Sequence, residues 1–114
     1  MLNNDYKEML QCLSAENVKF LLVGAYAVAA YGFPRATKEI DILVRPTRDN
    51  ASSLMKALAR FGAPLSGVSA EVFSTEGVVL QIGNSPRRID ILTRISGVEF
   101  QQAYERLESI RPAD

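Results

Sequence analysis

Residues 20–44, FLLVGAYAVAAYGFPRATKEIDILV, constrain the fold more than any other stretch of the chain. A short apolar run of strand length, Phe20–Val23, meets Gly24. The alanine-rich segment AYAVAAY that follows has helical composition and closes at Gly32. Pro34 blocks its extension. The basic turn FPRAT then leads into a second strand over residues 38–44. This strand carries Glu39 and Asp41 two positions apart. Side chains alternate faces along a strand, so residues two apart share a face at a spacing of about 6.5–7 Å. Glu39, Asp41 and Leu43 therefore point one way, and Lys38, Ile40, Ile42 and Val44 the other. The apolar face suits packing on helices; the acidic face requires a positive partner.

The flanking sequence supplies the rest of one domain. Tyr6, Met9, Leu10 and Leu13 recur at helical spacing and predict an amphipathic helix over 3–15, with Asn17 as its stop. Cys12 reads as an ordinary residue of that helix, with no cationic neighbour to activate it. Thr47 is an N-cap candidate, Asp49 suits the first helical turn, and Ala51, Leu54, Met55, Leu58 and Phe61 form a buried stripe ended by Gly62 and Pro64. VSAEVF fits either a short helix or an edge strand. Val78–Ile82 and Arg88–Leu92 predict a hairpin joined through GNSPR. Ser96 and Glu99 have the spacing of a capping box, and Phe100, Ala103, Tyr104 and Leu107 give the last helix its stripe. No internal repeat, low-complexity tract or linker interrupts the chain. The predicted order is α-β-α-β-α-β-β-α, an α/β (α+β) domain with one mixed sheet and helices packed on it, spanning residues 1–114.

Composition narrows the chemistry. Thirteen basic residues balance 13 acidic ones, so no global field draws the chain to nucleic acid or membrane, and any anion site must be local. A hydrophobic content of 47% suits a packed core. One cysteine excludes an internal disulfide and a multi-cysteine zinc site, and is compatible with a reducing cytoplasm. No apolar run has transmembrane length, and the N-terminus does not have the pattern of a signal peptide. The absence of histidine removes Ser-His and Cys-His mechanisms together with histidine-ligated metals.

Carboxylates remain the chemistry-bearing groups. RRIDIL repeats the pattern of the earlier acidic strand: Ile89 and Ile91 share one face, Arg88, Asp90 and Leu92 the other. If the two strands are neighbours, Asp90 lies within about 5 Å of Glu39 or Asp41. Converging carboxylates need a cation, and a hard divalent ion such as Mg²⁺ takes a few carboxylates together with substrate phosphates and water. An acidic pair on a half-buried strand also occurs as a plain solvated face, and both readings stand at this level. Gly24 at a strand-to-helix junction would let a phosphate approach helical N–H groups, or simply permits a tight turn. Arg35 is placed to clamp a phosphate or to pair with Glu39, and Thr37 to contact phosphate or start the strand. Arg88, beside Asp90, reads as a charge balancer first and a nucleotide contact second; Arg87 follows the same logic. Tyr26 and Tyr31 read as core or groove filler.

VGAYAVAAYGFPRATKEIDILV followed by RRIDIL resembles the nucleotidyltransferase superfamily that includes DNA polymerase β, and is most similar to the small bacterial stand-alone proteins related to AbiEii-type toxins. The likeness runs from Phe20 to about Tyr104. It implies transfer of a nucleoside monophosphate from an NTP to a hydroxyl, with two Mg²⁺ ions (Mn²⁺ as a substitute) and release of pyrophosphate. On this resemblance Gly24 and Ala25 match the phosphate-cradling pair, Glu39 and Asp41 the two acids that hold both metals, and Asp90 the third acid, which can help deprotonate the attacking hydroxyl. Arg35, Thr37 and Arg88, read from their own positions, are candidates for further phosphate contacts. The implied acceptor is an RNA such as tRNA, a protein or a small molecule, and the implied protein partners are a second copy or the other half of a toxin–antitoxin pair. The implied location is the cytoplasm. Ala25 replaces a glycine or serine, and Glu39 stands where the family usually has aspartate. One added methylene moves a carboxylate by about 1.5 Å, enough to weaken catalysis. The alternative is therefore a catalytically impaired nucleotide- or RNA-binding module on the same fold. A third option is an interaction domain whose acids are solvated or paired with Arg35 and Arg88. Relatives continue into a helical segment with Asn-Lys and Lys-Asp pairs that residues up to Asp114 lack, so a fragment or a minimal member is expected.

Overall fold

The structure, a computed structural model, describes residues 4–23, 40–75, 77–84, 87–94 and 99–110. Within these residues the chain forms α1 (Asn4–Ala15), β1 (Phe20–Val23), β2 (Ile40–Val44), α2 (Arg48–Phe61), a single-turn α3 (Ala70–Phe73), β3 (Val79–Ile82), β4 (Ile89–Leu92) and α4 (Phe100–Ile110). The predicted helix after Gly24 lies outside the described residues. The other predicted elements are present, and the ambiguous VSAEVF segment contributes the short α3.

The four strands make one mixed sheet in the order β1-β2-β4-β3. β1 runs antiparallel to β2, β2 parallel to β4, and β3 antiparallel to β4 as the predicted hairpin. Strand alternation sorts the side chains onto two faces. Ile40, Ile42, Val44, Ile82, Ile89 and Ile91 join the main core, where α1 contributes Tyr6, Met9 and Leu13 and α2 contributes Ala51, Leu54 and Leu58. On the opposite face, Leu21, Val23, Leu43 and Leu92 pack with Phe100, Ala103 and Tyr104 of α4. The sheet is thus a middle layer, covered by α1 and α2 on one side and by α4 on part of the other. No helix of the described residues is long and apolar enough to cross a membrane.

Local chemistry fixes the helix ends. Asn17 adopts a left-handed conformation, φ 58°, just beyond α1, where its short polar side chain is tolerated. Thr47 caps α2, its Oγ1 accepting from the Asn50 N–H at 3.3 Å. Gly62 ends α2 with φ 92°, a backbone state that favours glycine, and its N–H bonds back to Leu58 and Ala59 carbonyls. Thr47→Ala is expected to cost about 1 kcal/mol, read as a lower urea midpoint with an unchanged m-value. The last helix departs from the sequence expectation. It begins at Phe100, so Glu99 precedes it rather than sitting in its first turn as a capping box with Ser96 requires. Glu99 is itself the cap: its carboxylate accepts from the N–H groups of Gln101 at 3.2 Å and Gln102 at 2.7 Å, and its carbonyl accepts from Ala103 at 3.1 Å. A carboxylate satisfies those donors and also meets the positive end of the helix dipole. Cys12 is a free, buried thiol, and burial pushes its pKa up, which keeps it neutral and unreactive.

Candidate functional site

The acidic residues emerge on the face that α4 covers only in part. β2 and β4 pair in parallel with Ile40 opposite Ile89, Asp41 opposite Asp90, Ile42 opposite Ile91 and Leu43 opposite Leu92. Neighbouring strands are about 4.8 Å apart, and residues in register on parallel strands share a face. Asp41 and Asp90 are therefore side by side, as the sequence predicts for adjacent acidic strands. The sheet order makes them so: β3 occupies the edge, and β4 docks directly against β2. The row continues to Val23, which pairs with Asp41, and to Gln81, which pairs with Asp90.

Asp90 is buried, 8% exposed, and Asp41 is half-buried. Burial of a carboxylate is costly unless it is paired. Arg88 supplies that pairing as a fork: Nε donates to Oδ1 of Asp90 at 2.9 Å and Nη2 to Oδ2 at 3.3 Å. Two features hold Arg88 in place. Its carbonyl accepts from the Tyr6 hydroxyl at 3.3 Å, and also from the Ile40 N–H at 3.3 Å where β4 meets β2. The first role assigned to Arg88 from sequence, charge balance for Asp90, is a contact that it makes. Each carboxylate oxygen has a second lone pair, so the fork leaves Asp90 able to accept another donor or a cation.

Of the remaining sequence candidates, Gly24, Ala25, Arg35, Thr37 and Glu39 lie outside the described residues. Gly24 follows Val23, the strand partner of Asp41, and Glu39 precedes Ile40. Among the described residues no group of three histidine, cysteine or acidic side chains gathers as a metal site. What is present is a pair of carboxylates, a donor set that suits a hard ion completed by phosphate and water oxygens.

Sequence reasoning missed two supports of this site. Tyr6 belongs to the apolar stripe of α1 and is buried in the core, and its hydroxyl also bridges to the Arg88 backbone. Asn50 was not singled out, yet it is buried and ties the start of β1 to the end of β2. It accepts from the Lys19 N–H at 2.7 Å and donates to the carbonyls of Lys19 and Arg45, each at 3.0 Å. A polar residue in the first turn of an apolar-striped helix, adjacent to Ala51, is the only sequence signal for it. No family model, no characterised protein and no solved structure matches this chain at a significant level.

Proposed function

We propose that the chain is a metal-dependent nucleotidyltransferase that passes a nucleoside monophosphate from an NTP to a hydroxyl acceptor and releases pyrophosphate. The observation that carries this reading is the in-register pairing of Asp41 with Asp90 on adjacent parallel strands. Asp41 and Asp90, with Glu39, would hold Mg²⁺; the ion would neutralise phosphate charge and stabilise the attacking and leaving oxygens. Phosphoryl transfer depends mostly on positioning and charge neutralisation, so a chain without histidine is suited to it. Asp90 would accept the proton of the attacking hydroxyl, and Arg88, forked on Asp90, fixes that carboxylate and would be a further phosphate contact. Gly24 and Ala25 would offer backbone N–H groups to the phosphates, with Arg35 and Thr37 as further contacts. The cytoplasm, an RNA or protein acceptor, and a toxin–antitoxin partner belong to the same proposal.

One observation favours a second reading. A buried aspartate held by a bidentate arginine just before its own strand is also what a purely structural ion pair looks like. On that reading the chain is a binding or interaction module with no transfer activity. The two are separated by incubating the protein with each labelled NTP, Mg²⁺ or Mn²⁺, and total RNA or cell extract. Label transfer supports the enzyme. Thermal stabilisation by NTP and metal without transfer supports a binding module, because a ligand of the native state must stabilise it.

Glu39→Asp provides a graded test within the same assay. Shortening the side chain by one methylene moves its carboxylate by about 1.5 Å, and Mg²⁺ is strict about geometry. Transfer is expected to rise by about tenfold or more. Unchanged transfer removes Glu39 from the metal site.

A further inference from the structure

The same sheet face carries a second feature two steps further along the strands. Asp41 is followed at every second position by Leu43 and Arg45, and Asp90 by Leu92 and Arg94. Ile40–Leu43 and Ile89–Leu92 lie side by side in register, and Arg45 and Arg94 follow the two strands at the same end, about 13 Å along the chain direction from the carboxylates. Beyond β2 the chain turns to α2, which packs on the main core, whereas beyond β4 it leads to α4, which packs on the opposite face. Connections that part in this way open a crevice at the carboxyl ends of two parallel strands, the usual ligand position in open α/β sheets.

A cleft of about 580 Å³ lies at that place, lined by Leu43 and Phe100 on its apolar side and by Arg45, Thr47, Arg94 and Gln102 on its polar side. Arg45 is half-buried and held in place. Its guanidinium lies 5.5 Å from the ring centre of Phe100 and 5.4 Å from that of Tyr104. Those rings stack with centres 5.3 Å apart, and Asn50 bonds the Arg45 carbonyl. The Arg45 Nε is a buried donor with no acceptor among the described residues. Neither Arg45 nor Arg94 forms an ion pair with an acidic residue of the described chain. Glu99 also lines the cleft, but both its oxygens serve the first turn of α4.

We propose that this cleft binds a phosphorylated small molecule, with Arg45 and Arg94 clasping the phosphate and Leu43 and Phe100 facing the less polar part. Guanidinium forks match phosphate oxygens, and a ring-backed arginine is already oriented for them. The site needs no metal and stands apart from the carboxylate pair, so it does not depend on the transferase reading.

Ribose 5-phosphate is the probe, titrated without divalent ions into the ¹⁵N-labelled full chain, with inorganic phosphate and ribose in parallel. Saturable shifts are expected at the Nε–H signals of Arg45 and Arg94 and at the amides of Arg45, Thr47, Thr93 and Arg94, for the two phosphate-bearing probes and not for ribose. Arg94→Gln, at an exposed position that the core does not need, is expected to weaken binding about tenfold, the equivalent of one charged hydrogen bond. Arg45→Met should do the same, and Asp41→Asn should leave binding unchanged. Equal shifts with ribose, no saturable shift with either phosphate, or undiminished binding in Arg94→Gln each overturn the proposal.

Discussion

Asp90→Asn is expected to lower Mg²⁺-dependent transfer by about 10²–10⁴-fold, the rate equivalent of losing several kcal/mol of metal-held charge stabilisation. Asparagine keeps the shape and one acceptor oxygen, so Arg88 retains a partner and the chain should still fold. The ion pair with Arg88 is partly exposed, so its contribution to stability is small, about 1–2 kcal/mol after allowance for solvent screening. Asp41→Asn should show the same loss of transfer. Arg88→Gln is the informative companion. If the fork is only structural, Asp90→Asn and Arg88→Gln behave alike, each costing a little stability and nothing else. If Asp90 is a ligand, transfer falls far more in Asp90→Asn than in Arg88→Gln, with melting temperatures close together. Measured turnover and a melting curve on all three variants decide between the two.

Asn50→Ala is expected to be the most damaging single polar substitution, with a loss of about 2–4 kcal/mol out of a total stability of order 5–15 kcal/mol. Two hydrogen bonds to carbonyls disappear, and the Lys19 N–H, held by Oδ1 at 2.7 Å, loses its acceptor. The carbonyls keep other donors: Lys19 O retains the Arg45 N–H at 3.2 Å and Arg45 O the Thr47 N–H at 3.0 Å. The orphaned Lys19 donor therefore dominates the cost. Asn50→Asp isolates the cause. It preserves the acceptor for Lys19 but turns a carboxylate toward two carbonyl oxygens. It should be as destabilised as Asn50→Ala at neutral pH and recover in part as the carboxyl protonates on acidification. The sign follows from linkage: repulsion raises the folded-state pKa of this introduced acid, so stability is lost as pH rises above its unfolded value. Urea unfolding at two pH values measures both.

The strand alternation IDILV and IDIL was legible because period two separates an isoleucine face from an acid-and-leucine face without knowledge of the fold. The Thr47 cap and the Gly62 stop were legible for the same kind of reason, each being a local rule satisfied within four residues. The Glu99 cap was misplaced by three positions, since Ser-x-x-Glu fits a capping box as well as it fits a helix begun one residue after the glutamate. Asn50 was not legible: its partners, Lys19 and Arg45, are adjacent only after β1 and β2 pair. The pairing of Asp41 with Asp90 stood between these cases. The chain suggested it through two matching acidic strands, but strand order is a tertiary property, fixed by how α1 and α2 bury the isoleucine face. Arg45 and Arg94 were not legible as a site, although the match of IDILVR to IDILTR extends to both of them.

Mn²⁺ titrated into the ¹⁵N-labelled protein, with a non-hydrolysable NTP analogue present, tests most directly whether this acid pair holds a divalent ion. Paramagnetic broadening should appear first at the amides of residues 40–42 and 89–91 and should vanish in the Asp41→Asn, Asp90→Asn double variant. Broadening centred elsewhere, or persisting in the double variant, contradicts the account.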